Sequence, residues 1–203
     1  MKALGNDTAL ILVDIQNDFC PGGALAVREG DKIVPVVNRL IPLFHWILAT
    51  QDWHPVDHCS FKAQGGPWPP HCVRGTRGAE LHPALDKSRI THFVRKAFAQ
   101  DADSYSEFSG FDEPGRSLDE LLKSHDATTL YIVGLATDYC VRATVLDGLN
   151  RGYIVYAVTD AMRAVEVIPG DGETALREMA GAGAHLVTSE QIFRSQTESA
   201  RTA

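Results

Sequence analysis

The run TLYIVGLATDYCVRATVLDGL, residues 129–149, decides the fold. Thr129 to Val133 is a continuous apolar and β-branched strand, Gly134 to Asp138 is a tight turn, and Val141, Val145 and Leu149 then recur at helical spacing. A strand without polar alternation is covered on both faces, as a parallel strand between helical layers is. The same unit recurs outward along the chain. Strands are expected at Thr8–Val13, Trp46–Thr50, Ile90–Val94, Tyr153–Val158 and His185–Thr188. Helices are expected over Ile33–Phe44, Leu118–Ser124, Tyr139–Asn150 and Gly172–Ala182. This alternation predicts an α/β class: a mainly parallel β-sheet of about six strands with helices on both faces.

The 203 residues suit a single domain, 1–203, with a flexible polar tail over 194–203, and 44% hydrophobic residues can fill a core. With 19 basic and 26 acidic residues the net charge is −7, so the chain lacks the basic face of a nucleic-acid binder. The first apolar run, Ala9 to Val13, is too short for a signal peptide core, and no stretch reaches the roughly 20 apolar residues of a membrane span. A cytoplasmic address is therefore the default, with no membrane partner. The four cysteines match neither a zinc ribbon nor a CxxC pair and read as free thiols. His54 to His82, centred on Gly65-Gly66-Pro67-Trp68-Pro69-Pro70, is a long loop of the kind that carries function.

Ligands of open α/β sheets bind at the carboxyl ends of strands. The residues expected there are Asp14, then Asp52 and His54, then Lys96, then the turn that carries Cys140. With Thr137 as N-cap, Cys140 falls in the first turn of a helix, where unpaired N–H groups and the dipole favour a thiolate and suit an acyl oxyanion. On placement alone Cys140 reads equally as a small buried thiol packing under the sheet. Asp14 is either a turn residue or a general base, and Lys96 alone is an ordinary solvated strand end. Taken together, aspartate, lysine and cysteine form a workable triad. Cys20, Cys59 and Cys72 lack the strand–turn–helix setting.

Asp52 and His54 are two apart and face the same way on an extended chain, and His71 is a candidate third ligand. A carboxylate and two imidazoles with open positions suit one divalent metal ion, Zn²⁺ first, with Mn²⁺ or Fe²⁺ as alternatives. Histidines in a proline-rich loop are also common surface residues. His58 is either a fourth ligand or a donor that orients one, and the second is preferred. Phe19, Trp53, Trp68 and Tyr105 are core or pocket residues, with Phe19 and Trp68 placed to sandwich a flat ring.

The ordered set Val13–Phe19, Asp52–Pro55, Cys72–Thr76, Asp103–Ser106, Gly134–Val141 and Val158–Ala161 resembles the nicotinamidases (pyrazinamidases) of the isochorismatase-like cysteine hydrolase superfamily. The resemblance extends from Ala9 to about Phe193. It implies Cys140 as nucleophile, Asp14 as proton-transfer base and Lys96 as third member. It also implies Asp52, His54 and His71 on the metal, Phe19, Trp68 and Tyr105 around the substrate, and Ala136 and Cys140 N–H groups as oxyanion hole. A cis peptide is expected before Thr137, and Asp160 is read as a helix cap. The implied reaction deamidates nicotinamide, with pyrazinamide as a further substrate, in NAD salvage. A homo-oligomer stays open. The competing readings are an N-carbamoyl or ureido amidohydrolase and a non-catalytic binding scaffold of the same fold.

Overall fold

The computed structural model describes residues 4–202; residues 1–3 and residue 203 of the expected tail lie outside the described residues. Six strands form one sheet: β1 (Thr8–Val13), β2 (Trp46–Asp52), β3 (His92–Lys96), β4 (Thr129–Leu135), β5 (Ile154–Arg163) and β6 (His185–Val187). Their order is β3-β2-β1-β4-β5-β6, and every pair is parallel. Helices are α1 (Val34–Leu40), α2 (Leu118–Ser124), α3 (Arg142–Asn150), α4 (Asp171–Gly181) and α5 (Ser189–Thr202). This is the α/β architecture that the alternation predicts.

Strand geometry sends successive side chains to opposite faces, and β1 shows both layers. Leu10 and Leu12 pack with Val37 and Leu40 of α1 and Ile192 of α5. Ala9, Ile11 and Val13 pack with Leu118 and Leu121 of α2, Val145 of α3 and Met179 of α4. The chain runs outward from β1 to β3, then returns to place β4 on the other side of β1. That reversal opens a crevice at the carboxyl ends of β1 and β4, where Asp14 and the turn after Leu135 emerge.

Several boundaries differ from the expected ones, each for a local reason. β3 begins at His92 rather than Ile90, because the Thr91 hydroxyl donates to the Ile47 carbonyl at 2.8 Å and holds the preceding residues as a loop. Helix α1 stops at Leu40, and Ile41–Leu43 tightens into a 3-10 turn at Pro42, whose ring and missing N–H do not continue a helix. Helix α3 begins at Arg142, because Thr137–Val141 form a separate π-turn. The polar stretch after Phe193 lies in α5 as far as Thr202. Helix α2 has its expected bounds and a capping box, with Ser117 accepting from Glu120 N–H and the Glu120 carboxylate accepting from Ser117 N–H. Among the described residues no helix is long and apolar enough to cross a membrane.

Gly134 joins fold to site. Its φ is +124°, and a Cβ there would lie 2.0 Å from the Val13 carbonyl oxygen. Only glycine lets β4 press this closely on β1 just before Asp14. Gly134→Ala is expected to lower the unfolding free energy by about 3 kcal/mol or more, from overlap together with positive φ. A urea titration measures it, and a loss under ~1 kcal/mol would show that the strand relaxes freely.

Candidate active site

Four ionisable side chains from separate segments meet with almost no exposure. Lys96, the last residue of β3, places Nζ 2.7 Å from Asp14 Oδ2, 2.5 Å from Asp52 Oδ1 and 3.2 Å from Glu107 Oε1. Asp14 follows β1 with φ +45°, a left-handed conformation that aspartate tolerates better than most residues. The Thr50 hydroxyl donates to Asp14 Oδ1 at 3.0 Å, which fixes the carboxylate. Asp14, Asp52 and Cys140 each place a ligand atom within 4.8 Å of the others. The carboxylate, ammonium and thiol expected at three strand ends are therefore together in one buried cluster.

The turn that carries Cys140 differs from the expected one. Ala136, not Thr137, occupies the N-cap, with extended φ −99° and ψ 151°. Its carbonyl accepts from Tyr139 N–H at 3.1 Å and from Val141 N–H at 3.0 Å, and the second bond spans five residues. That longer loop is the π-turn, a form often found at functional sites. The cis peptide is Leu135–Ala136, one residue earlier than the bond before Thr137. The expectation of a thiolate-favouring site also needs correction. Burial pushes the Cys140 thiol well above its ordinary value; Lys96 opposes this, while Asp14, Asp52 and Glu107 add to it. A thiol so placed is protonated at rest and needs a base beside it.

Asp52 ends β2, His54 lies two residues on, and His71 comes from the long loop; their donor atoms lie within 4.8 Å of one another. Burial raises the Asp52 carboxyl, but the Lys96 ammonium and His54 outweigh it and hold the group well below the usual carboxylate range. His71 Nδ1 stands 2.8 Å from the Pro69 carbonyl, which makes Nδ1 the donor and leaves Nε2 a free lone pair. Neither ring nitrogen of buried His54 has a hydrogen-bond partner among the described residues. Buried polar atoms are rarely left so, and a cation between the three groups would take up one of the two. The residues present thus fit a divalent ion. His58 is otherwise engaged, with Nε2 3.2 Å from the Ala102 carbonyl and Nδ1 2.7 Å from Ser60 Oγ, its ring against that of His54.

These groups open on a cavity whose wall includes Phe19, Trp68, Tyr105 and Ala136. The Phe19 ring centroid is 5.5 Å from that of His71, and Trp68 Nε1 donates to Tyr105 Oη at 3.1 Å. Trp53 does not line the cavity; Arg95 stacks over its ring at 4.1 Å. Sequence reasoning missed two residues. Tyr139, next to the cysteine, packs edge-on to Trp68 at 5.1 Å and lines the cavity; its adjacency to Cys140 was the available signal. Glu107 gave no signal, since a glutamate in a polar loop reads as solvated. Asp160 accepts from the N–H and hydroxyl of Ser189 at the start of α5, as a cap does.

An Isochorismatase domain model matches residues 8–191. The nicotinamidase of Escherichia coli K12 is 46% identical over 205 residues, covering 89% of this chain and 94% of its own. The crystal structure of the Pyrococcus horikoshii pyrazinamidase in complex with zinc is 45% identical, with a TM-score of 0.81, covering 90% of this chain and 99% of its own. An L. infantum protein solved in complex with nicotinate is 38% identical, with a TM-score of 0.86, covering 93% and 96%. With the sheet, the buried thiol cluster and these likenesses in agreement, the chain belongs to the isochorismatase family, in its nicotinamidase/pyrazinamidase branch.

Proposed function

We propose that this single-domain chain is a metal-dependent cysteine amidohydrolase that converts nicotinamide to nicotinate and ammonia. The observation that carries the reading is the Asp14–Lys96 ion pair in one buried cluster with Cys140, beside Asp52, His54 and His71. Relatives named for this activity support it. Asp14 takes the proton from Cys140 Sγ, and the thiolate attacks the carboxamide carbon. The N–H groups of Ala136 and Cys140 hold the oxyanion. The C–N bond breaks, Asp14 returns the proton to departing ammonia, and a thioester remains on Cys140. Water then loses a proton to Asp14, attacks the thioester and releases nicotinate, and the thiol is reprotonated. Lys96 holds the Asp14 carboxylate in place and balances its charge.

Phe19, Trp68 and Tyr105 hold the flat ring. A divalent ion would be held by Asp52, His54 and His71 and would supply Lewis acidity beside the ring, and zinc is the ion we favour, on the donor set and on the zinc complex of the Pyrococcus horikoshii relative. Pyrazinamide as a second substrate, a cytoplasmic address and a role in NAD salvage complete the reading.

The test is ammonia release from nicotinamide with and without a chelator, beside an N-carbamoyl amino acid. Chelation is expected to lower turnover by about 10²-fold or more, and one equivalent of Zn²⁺, Mn²⁺ or Fe²⁺ to restore it. Full turnover by metal-free protein would refute the metal role, and preference for the carbamoyl compound would refute the substrate.

A further inference from the structure

Lys96 has one charge and three carboxyl neighbours. Asp14 and Asp52 take the shorter contacts, 2.7 and 2.5 Å, and Glu107 Oε1 stands off at 3.2 Å. Glu107 is fully buried, and neither of its carboxyl oxygens makes a well-formed hydrogen bond among the described residues. Asp52 also belongs to the candidate metal site with His54 and His71, and Asp14 is fixed by the Thr50 hydroxyl, whereas Lys96 is the ion-pair partner of Glu107. Burial and the Asp14 charge push Glu107 well above the usual carboxylate range, against the pull of Lys96.

Glu107 is also tied to the segment that carries the thiol. Its backbone N–H donates to Thr144 Oγ1 at 3.2 Å, and that hydroxyl donates to the Cys140 carbonyl at 2.7 Å. Ser106 caps the turn from the other side, accepting from Phe108 N–H. A carboxyl so held offers an acceptor oxygen to the ammonium on the side that Asp14 and Asp52 leave open.

We propose that Glu107 is a positioning residue whose carboxyl closes the third side of the Lys96 ammonium and keeps that ion on Asp14 beside Cys140. The inference rests on the roles given above to Asp14, Lys96 and Cys140. Glu107→Gln keeps an acceptor of the same shape, and Glu107→Met keeps the volume and removes the acceptor.

Turnover of nicotinamide and the rate of Cys140 alkylation by iodoacetamide are measured on the metal-loaded full chain. E107Q is expected to stay within about threefold of the native protein on both. E107M is expected to lose kcat about tenfold or more with KM within about twofold, and to alkylate about fivefold more slowly. Equal losses in the two variants, or native behaviour in E107M, would overturn the proposal. Should E107M fail to fold, E107Q decides alone: native rates support the acceptor role, and a tenfold loss overturns it. A native protein that alkylates at Cys140 but leaves nicotinamide intact would refute the substrate instead, and the alkylation comparison would still test Glu107.

Discussion

Cys140→Ala is expected to abolish ammonia release, by about 10⁴-fold or more, while nicotinamide still binds within about threefold of the native affinity. The asymmetry follows from geometry. Cys140 is buried in a turn held by Ala136 carbonyl bonds to Tyr139 and Val141, so truncation removes the sulfur and leaves the backbone. The cavity wall, Phe19, Trp68 and Tyr105, is untouched. Without the thiol no acyl intermediate forms, and nothing else in the cluster replaces it, because Asp14 is already paired with Lys96. Ammonia release and equilibrium dialysis on the same preparation check both halves. Turnover above about a hundredth of native would exclude the thioester route.

Lys96→Met has the second large effect, and on stability as much as on rate. The substitution keeps the length of the side chain and removes the counter-charge of Asp14, Asp52 and Glu107, all buried. Removing one partner of a buried ion pair costs about 3–5 kcal/mol, a large share of a total near 5–15 kcal/mol. Turnover falls about 10³-fold or more, since Asp14 loses the ion-pair partner that holds it beside the thiol.

The pH dependence has a definite sign. Lys96 is held well above its ordinary 10.5, so its contribution is full below pH 10.5 and is lost as pH rises through the folded value. Asp52 is held below its ordinary 3.8, so its contribution is present above pH 3.8 and is lost as pH falls. Glu107 runs the other way. It sits above its ordinary 4.5, so the folded state binds the proton more tightly, and the penalty grows as pH rises past 4.5. In metal-free K96M the orphaned carboxyls can take up protons, so the deficit should shrink from pH 8 to pH 5. Urea midpoints at the two pH values measure this, and a deficit that is equal at both would contradict it.

How much was legible in the sequence depended on where each residue found its partner. β1 and β4 were plain because every residue of β1 is buried and both strands read as unbroken apolar runs. β3 was misplaced because its last residues are Arg95 and Lys96, polar types whose burial is compensated from elsewhere: Arg95 by the Trp53 ring and Lys96 by carboxylates from three other segments. Local pattern carries no trace of such partners. Asp14, Lys96 and Cys140 could be named because strand ends are where these folds bind ligands. Glu107 could not, since only the meeting with Lys96 distinguishes it from a solvated glutamate. The N-cap was off by one because a bond spanning five residues, not four, begins the turn at Ala136.

The strand order has a consequence for synthesis. β1 lies between β2 and β4, but β4 starts only at Thr129. A growing chain that has already emerged through Lys96 holds TALILV with one neighbour and one naked edge, the kind of surface on which other chains pair. The ribosome must deliver β4 before that edge closes, and it delivers Cys140 a few residues later. The step that ends the aggregation hazard is thus almost the step that completes the chemistry, and a stalled product ending before Thr129 would be both adhesive and inert.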